Sequence, residues 1–182
     1  MFKEDRELVA AVKVGDNVEV MRLGEEGASP DAKNSIGEPA VYLAACKGRA
    51  GAVSALVRLG ADLDATDGIG TTALMEAAYW GKVECVRALL AGGADRTFRA
   101  TGDTARGKTA LEIAEKKYSG KTEVAALLRS PAEQAAFEQA ALDGQLHDAA
   151  RNGDAATLGH ASGRQWGGLS LPAGSLALAP SA

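Results

Sequence analysis

Apolar residues recur at helical spacing in two segments near the middle of the chain. Val86, Leu89 and Leu90 lie three and four residues apart, and residues 53–57 repeat the arrangement. This spacing places the apolar side chains on one face of an amphipathic helix. A second short helix is predicted before each segment, ending at a glycine such as Gly81, because glycine readily adopts the left-handed conformation that ends a helix. The pattern therefore predicts repeated units of two short helices.

The two-helix unit recurs with a period of 33 residues. Self-similarity at one fixed period is typical of stacked arrays, in which each unit buries its apolar face against its neighbours. The paired positions are Ala44-Ala45 with Ala77-Ala78, Gly48 with Gly81, Val53 with Val86, Leu56 with Leu89, and Gly60-Ala61-Asp62 with Gly93-Ala94-Asp95.

Four copies of the unit can be aligned. They cover roughly residues 5–33, 34–66, 67–99 and 100–129. The first copy begins with a polar segment, as expected for a terminal repeat that faces water. The fourth copy carries four extra residues before Thr109.

The repeat resembles the ankyrin-repeat family over about residues 5–129. The resemblance implies an all-α fold, an α-solenoid of about four repeats in which helix-turn-helix units alternate with β-turn fingers. The histidine of the family's Thr-Pro-Leu-His motif is missing from every copy. The aligned segments are Glu38-Pro39-Ala40-Val41, Thr72-Ala73-Leu74-Met75 and Thr109-Ala110-Leu111-Glu112.

Three regions are predicted along the chain. Residues 1–129 form the repeat domain, and residues 130–158 form a C-terminal helical extension or a partial further repeat. Residues 159–182 hold five glycines, four serines and two prolines with a single charge. This composition lacks the apolar content that a packed core requires, so we expect a disordered tail.

Composition excludes several classes of protein. Hydrophobic residues make up 46% of the chain but aromatic residues only 4%, which suits close-packed small helices. Cys46 and Cys85 have no metal-ligand spacing, and we expect reduced thiols in a cytoplasmic or nuclear protein. We find no signal peptide and no apolar run long enough to cross a membrane. No catalytic constellation, metal site or cofactor is predicted.

One motif favours a different function. The segment Gly102–Thr109 matches the phosphate-binding loop pattern, in which Lys108 would contact nucleotide phosphates and Thr109 would bind magnesium. The pattern needs a buried strand before it, and residues 95–100 are too polar for one. We therefore interpret the segment as an enlarged β-turn finger and keep a nucleotide-binding protein as the alternative.

The resemblance implies that a protein partner binds along the concave side, formed by the fingers and the exposed faces of the first helices. Tyr79 and Trp80 are candidate anchors because aromatic residues are enriched in binding hot spots. The alternative is that both side chains simply pack against the adjacent repeat. The candidate partner-binding residues are Lys13, Val14, Ile36, Cys46, Lys47, Ile69, Tyr79, Trp80, Lys116 and Lys117.

The charges predicted on the concave side are mostly positive, although the chain as a whole carries a formal charge of −4. A basic groove favours an acidic or phosphorylated segment of another protein, and an ordinary solvated surface is the alternative. The total charge and the scattered lysines argue against nucleic acid. We thus expect a monomeric, non-catalytic protein-interaction module that acts as a scaffold or adaptor.

Overall fold

The computed structural model describes residues 2–102, 105–118 and 122–132, together with Ala135 and Gln139. The chain divides into two compact units, Met1–Pro131 and Ala132–Ala182. The predicted helical extension at 130–158 lies outside the described residues except at positions 130–132, 135 and 139. The predicted tail at 159–182 lies wholly outside them.

The described part of the first unit consists of four helical pairs, which confirms the all-α prediction. It contains no β-strand, only isolated antiparallel bridges such as that between Thr66 and Thr72. No helix in the described segments has the length and apolar character needed to span a bilayer. The helices are α1 (Lys3–Val14), α2 (Asn17–Glu25), α3 (Ala40–Cys46), α4 (Ala50–Arg58), α5 (Ala73–Tyr79), α6 (Val83–Ala91), α7 (Ala110–Tyr118) and α8 (Glu123–Leu128).

The helices form two layers. The first helices of successive repeats contact one another in the order α1, α3, α5, α7, and the second helices do so in the order α2, α4, α6, α8. The alanine pairs Ala44-Ala45 and Ala77-Ala78 are fully buried in the first layer. Their small side chains allow neighbouring helices to approach closely. The stacking buries one continuous core that no single repeat could form.

Helix ends follow the predicted local chemistry. Gly48 and Gly81 have φ angles of 69° and 65°, the left-handed conformation expected after the first helix of a repeat. The Thr72 hydroxyl accepts a hydrogen bond of 3.4 Å from the Met75 amide at the start of α5. A capping box forms at the start of α7, where Thr109 and Glu112 exchange bonds of 2.8 and 3.3 Å.

The predicted motif alignment in the second repeat is wrong by one residue. Pro39, not Glu38, precedes α3 as its N-cap residue, the position that Thr72 occupies before α5. The motif therefore runs from Pro39 to Tyr42, and Tyr42 stands where the family places histidine. The error arose because the proline was matched to the family's second motif position, whereas here it takes the first.

Three fingers precede α3, α5 and α7 and share one backbone pattern. In the finger before α5, the Asp67 amide donates to the Thr71 carbonyl, and the Gly70 amide donates back to the Asp67 carbonyl. The finger before α7 has the equivalent pair of bonds, from Ala100 to Lys108 at 3.0 Å and from Gly107 to Ala100 at 2.8 Å. The four-residue insertion thus enlarges the tip of this finger and leaves its base intact.

Aspartate side chains join the first three repeats. The Asp31 carboxylate accepts a hydrogen bond of 2.7 Å from the backbone amide of Asp62, one repeat further along the chain. Asp64 makes the same bond, at 2.9 Å, with the amide of Asp95. Consecutive repeats are therefore linked at identical points by charge-assisted hydrogen bonds.

Candidate functional site

A cleft of about 520 Å³ opens between the second, third and fourth repeats on the side of the fingers and first helices. Met75 of α5 and Ile113 of α7 contribute apolar atoms, and Ile69 contributes from the finger before α5. Tyr42, Tyr79, Thr71 and Ala105 complete the uncharged lining. The charged residues of the lining are Glu76, Lys108, Lys116 and Lys117.

The structure brings only part of the predicted site together. Among the candidate residues, Ile69, Tyr79, Lys116 and Lys117 line the cleft. Trp80 contacts Tyr79 from outside the lining. The others occupy equivalent positions of the earlier repeats and are not part of the lining: Lys13, Val14, Ile36, Cys46 and Lys47. Of these, Cys46 lies near Glu76 of the lining, which acts on its thiol.

The side chains of Tyr79 and Trp80 contact their neighbours and yet remain about half exposed to solvent. Their rings meet edge to face with centroids 5.2 Å apart, and the Trp80 indole donates a hydrogen bond of 2.6 Å to the Glu76 carboxylate. Nevertheless, 44% of Tyr79 and 49% of Trp80 remain exposed. Because their contacts fix them without burying them, these rings present rigid apolar area to solvent.

The ammonium group of Lys117 is held by the aromatic pair. Its Nζ atom lies 3.3 Å from the centroid of the Tyr79 ring and 4.7 Å from that of Trp80. A cation over an aromatic face is attracted by the negative π-surface. Lys117 therefore forms part of the wall of the cleft and anchors the end of α7 to the end of α5.

Lys108 and Lys116 form a basic end of the cleft. The proximity of the Lys116 ammonium, a second positive charge, lowers the pKa of Lys108. No carboxylate in the described part of the chain forms an ion pair with either lysine. The charge of Glu112 acts on Lys108 without forming an ion pair with it. Two adjacent cations with this partial compensation can still attract an anion.

Glu76 is the one acidic residue of the cleft lining within the described residues. Burial raises the pKa of the Tyr42 hydroxyl well above its ordinary range, and the negative charges of Glu76 and Asp67 raise it further. Burial also raises the pKa of the Cys46 thiol, and Glu76 adds to this shift through its charge and a hydrogen bond. The charge of Glu76 therefore acts on both of these side chains.

The family model for ankyrin repeats, described as three copies, matches residues 8–100 and 69–139, which together span more than half of the chain. The chain belongs to the ankyrin-repeat family. No curated protein matches this chain. Ankyrin repeats generally mediate protein–protein interaction, and the solenoid described above is the scaffold on which they do so.

The phosphate-loop motif forms part of the enlarged ankyrin finger. The Gly107 amide donates to the Ala100 carbonyl and is thus already paired, and the Thr109 hydroxyl caps α7. A Cβ atom at Gly102 would lie 1.5 Å from the carbonyl oxygen of Ile69, so the neighbouring finger accounts for the glycine there. In the described chain no strand precedes the motif, and the context of a nucleotide-binding loop is not found.

Sequence reasoning missed several residues of the cleft. Tyr42 and Met75 occupy the position of the ankyrin motif's histidine. Met75 was aligned there but not proposed as a site residue, and Tyr42 was missed because the second repeat was aligned one residue off. Ile113 and Glu76 lie on first helices, but their residue types are common on helix surfaces and gave no signal. Within the described residues, no group of three or more metal-ligating side chains could hold a metal ion.

Proposed function

We propose that this chain is a non-catalytic protein-interaction module that binds an acidic or phosphorylated segment of another protein in the cleft of the second to fourth repeats. The observation that carries the proposal is the pair Lys108 and Lys116 in a cleft with apolar lining, where no carboxylate of the described residues forms an ion pair with either ammonium group. An apolar pocket with a few convergent polar groups is the usual form of a binding site.

The proposed contacts divide into anchors and a polar rim. Tyr79 and Trp80 supply exposed, immobilised aromatic surface, the type of contact that dominates binding energy. The lysines at the basic end attract an anionic segment and fix its position. Lys13 and Lys47, which lie at adjacent positions of the repeat register in the first two repeats, extend the rim toward the N-terminus. The module acts as a monomer in this proposal.

A selected peptide tests the proposal directly. The full chain is used to select binders from a random-peptide library displayed on phage, and the strongest peptide is synthesised with a fluorophore for polarisation measurements. The proposal expects an acidic peptide whose affinity falls about fivefold or more in the Lys108→Gln/Lys116→Gln variant, since a partly exposed ion pair contributes about 0.2–1 kcal/mol.

The matched control is Arg58→Gln, which removes one exposed cation from α4 in the other layer. Its affinity for the peptide should equal that of the wild type. Failure to select any peptide, or equal affinities for the wild type and the double lysine variant, would overturn the proposed site.

The aromatic anchors are tested with the same peptide. Trp80→Ala should weaken binding by about 2 kcal/mol or more if the residue is a hot spot. Circular dichroism should show unchanged helix content, because half of the side chain is already exposed. Unchanged affinity in a folded Trp80→Ala protein would remove Trp80 from the proposed site.

A further inference from the structure

The ammonium group of Lys117 lies in a corner formed by aromatic rings. Its Nζ atom is 3.3 Å from the centroid of the Tyr79 ring, 4.7 Å from that of Trp80 and 5.7 Å from that of Tyr118. The planes of the Tyr79 and Trp80 rings are inclined by 88°, so the two rings form adjacent walls beside the charge. An aromatic face attracts a cation within about 6 Å of its centroid, and these contacts therefore favour one position of the ammonium group.

The rings that hold Lys117 are themselves fixed. The Trp80 indole donates a hydrogen bond of 2.6 Å to the Glu76 carboxylate. The Tyr118 hydroxyl donates one of 2.9 Å to the backbone carbonyl of Tyr79, which joins the end of α7 to the end of α5. A lysine side chain that lies over fixed rings has lost part of its rotamer freedom before any partner binds.

The charge of Lys117 remains available to a partner. None of the ion pairs formed by the described residues includes this lysine. Glu76 offsets part of the positive charge of the cleft, but the lining contains three lysines and this one glutamate. An ammonium group carries three N–H donors, and a ring face attracts its charge without neutralising it. Lys117 can therefore bind an anion while it keeps its aromatic contacts.

We propose that Lys117 is the main contact for the anionic group of the partner, and that Tyr79 and Trp80 are also positioning residues, which hold its ammonium group. The anionic group is a carboxylate or a phosphate, because both present charged oxygen acceptors to an ammonium group. This inference rests on the proposed function, which is carried by Lys108 and Lys116. It names a third lysine as the one that determines affinity for the anion.

The aromatic contacts distinguish Lys117 from the other two lysines of the lining. An exposed ion pair contributes little to affinity, in part because long side chains lose rotamer freedom when it forms. The side chain of Lys117 is already restricted, so less freedom is lost when an anion binds to it. In the described part of the chain no aromatic ring holds Lys108 or Lys116 in this way. Lys117 should therefore contribute more to binding than either of them.

The position of Lys117 is tested first, in the free protein. Lysine labelled with ¹³C at the ε-carbon reports the ε-methylene group of each lysine by NMR, and Lys117→Arg assigns the signal of residue 117. Protons near an aromatic face are shifted upfield, so this signal should lie upfield of the other lysine signals. It should return to their range in Tyr79→Leu, which removes the ring and keeps the carbonyl that binds Tyr118. A Lys117 signal within the ordinary range in wild type would overturn the inference.

The contact with the anion is tested with the peptide selected for the proposed function. Each acidic residue of the peptide is replaced by its amide in turn, and every peptide is titrated into wild type, Lys117→Gln, Lys117→Arg and Tyr79→Leu. A further peptide carries phosphoserine at the position that couples to Lys117, which compares phosphate with carboxylate. The control protein is Lys3→Gln, which removes an exposed lysine of α1 outside the lining.

We expect one acidic peptide residue whose replacement weakens binding to wild type, Lys117→Arg and Lys3→Gln about tenfold, since hydrogen bonds between charged groups are stronger than neutral ones. The same replacement should leave the affinity for Lys117→Gln unchanged and should have a smaller effect on Tyr79→Leu than on wild type. Because the Tyr79 ring carries no charge, the smaller effect in its variant reports the position of Lys117. Direct packing of the ring on the peptide would not depend on the peptide's charge.

The outcomes separate the two proposals. If the Lys108→Gln/Lys116→Gln variant loses affinity but every acidic replacement acts equally on wild type and Lys117→Gln, the cleft binds an acidic segment and the inference is wrong. Equal effects on wild type and Tyr79→Leu would overturn the positioning role. A library that yields no binder would overturn the proposed function and this inference together.

Discussion

The hydroxyl of Tyr118 donates a hydrogen bond of 2.9 Å to the backbone carbonyl of Tyr79, one repeat earlier. Counting from the helix N-caps Thr72 and Thr109, Tyr118 takes the place that Gly81 has in the third repeat. Without a glycine at this point, α7 continues to Tyr118, two residues further than α5 runs. The bond joins the ends of two first helices beside the cleft.

Removal of this hydroxyl should loosen the joint between the third and fourth repeats. Tyr118→Phe is expected to lower the free energy of unfolding by about 0.5–1.5 kcal/mol, the net contribution of one hydrogen bond. Urea denaturation followed by circular dichroism measures the change. Tyr79→Phe is the control, because it keeps the ring and the accepting carbonyl. Equal stability of Tyr118→Phe and wild type would show that the bond contributes nothing.

A partly buried ion pair should stabilise the fourth repeat. Arg129 is only 4% exposed in its side chain, and Nη2 donates to Glu115 at 2.7 Å. Glu115→Ala removes this acceptor and should cost about 1.5–3 kcal/mol, the range for hydrogen bonds to charged groups. Glu84→Ala removes an exposed carboxylate at 3.7 Å from Arg87 and should change stability by about 0.5 kcal/mol or less. Similar unfolding curves for the two variants would contradict the expectation.

Two glycines of the enlarged finger should differ sharply in their tolerance to alanine. A Cβ atom at Gly102 would overlap the Ile69 carbonyl and disturb the bond of 3.1 Å from Thr101 to Gly70. A Cβ atom at Gly107 would contact no other atom. Alanine there is disfavoured only by the φ angle of 72°, which L-residues rarely adopt.

Thermal melts of both alanine variants check this difference. Gly107→Ala should lower the free energy of unfolding by about 1–2 kcal/mol, because alanine disfavours the left-handed backbone conformation at this position. Gly102→Ala should lower it by more, because the backbone near Ile69 must move to relieve the overlap. If Gly102 served a nucleotide instead, magnesium ATP would raise the melting temperature of the wild type. We expect no such increase.

The reactivity of Cys46 should report the charge on Glu76. Burial and the Glu76 carboxylate raise the pKa of this thiol, so less of it is thiolate at pH 7.5 than in a free cysteine. Iodoacetamide should therefore alkylate Cys46 slowly, and Glu76→Gln should speed the reaction. Cys85, whose pKa burial raises to about 11, is the internal control and should stay unreactive in both proteins. Peptide mass spectrometry separates the two sites, and an unchanged rate at Cys46 would argue against the field of Glu76.

The repeat period made much of the fold predictable. Positions such as Gly48 and Thr72 recur for local reasons, a left-handed helix end and a helix cap, so sequence and structure agree there. The alanine pairs were predictable because closely packed neighbouring helices leave no room for larger side chains at these positions. The motif alignment of the second repeat was wrong at Pro39, because two alignments that differ by one residue predict the same helix.

The cleft was less predictable than the helices that form it. Lys108 and Lys116 take the repeat positions of Thr71 and Tyr79, and among the four repeats only the fourth has lysine at both, so the other copies gave no indication of a basic pair. Arg129 looks like a surface charge in sequence, yet its burial depends on how the last helix packs. Tyr79 and Trp80 were recognisable because the repeat itself requires no aromatic residue there.

The aspartate bonds between repeats determine how this array could lengthen. Residues 34–66 contain both halves of the joint, the Asp62 amide that faces the preceding repeat and the Asp64 carboxylate that faces the following one. A tandem duplication of this segment would connect to its neighbours through the same hydrogen bonds. In residues 67–99 the position of Asp64 is taken by Thr97, so a duplicate of the third repeat would leave one joint unmade. The second repeat can thus be copied with both of its aspartate bonds retained.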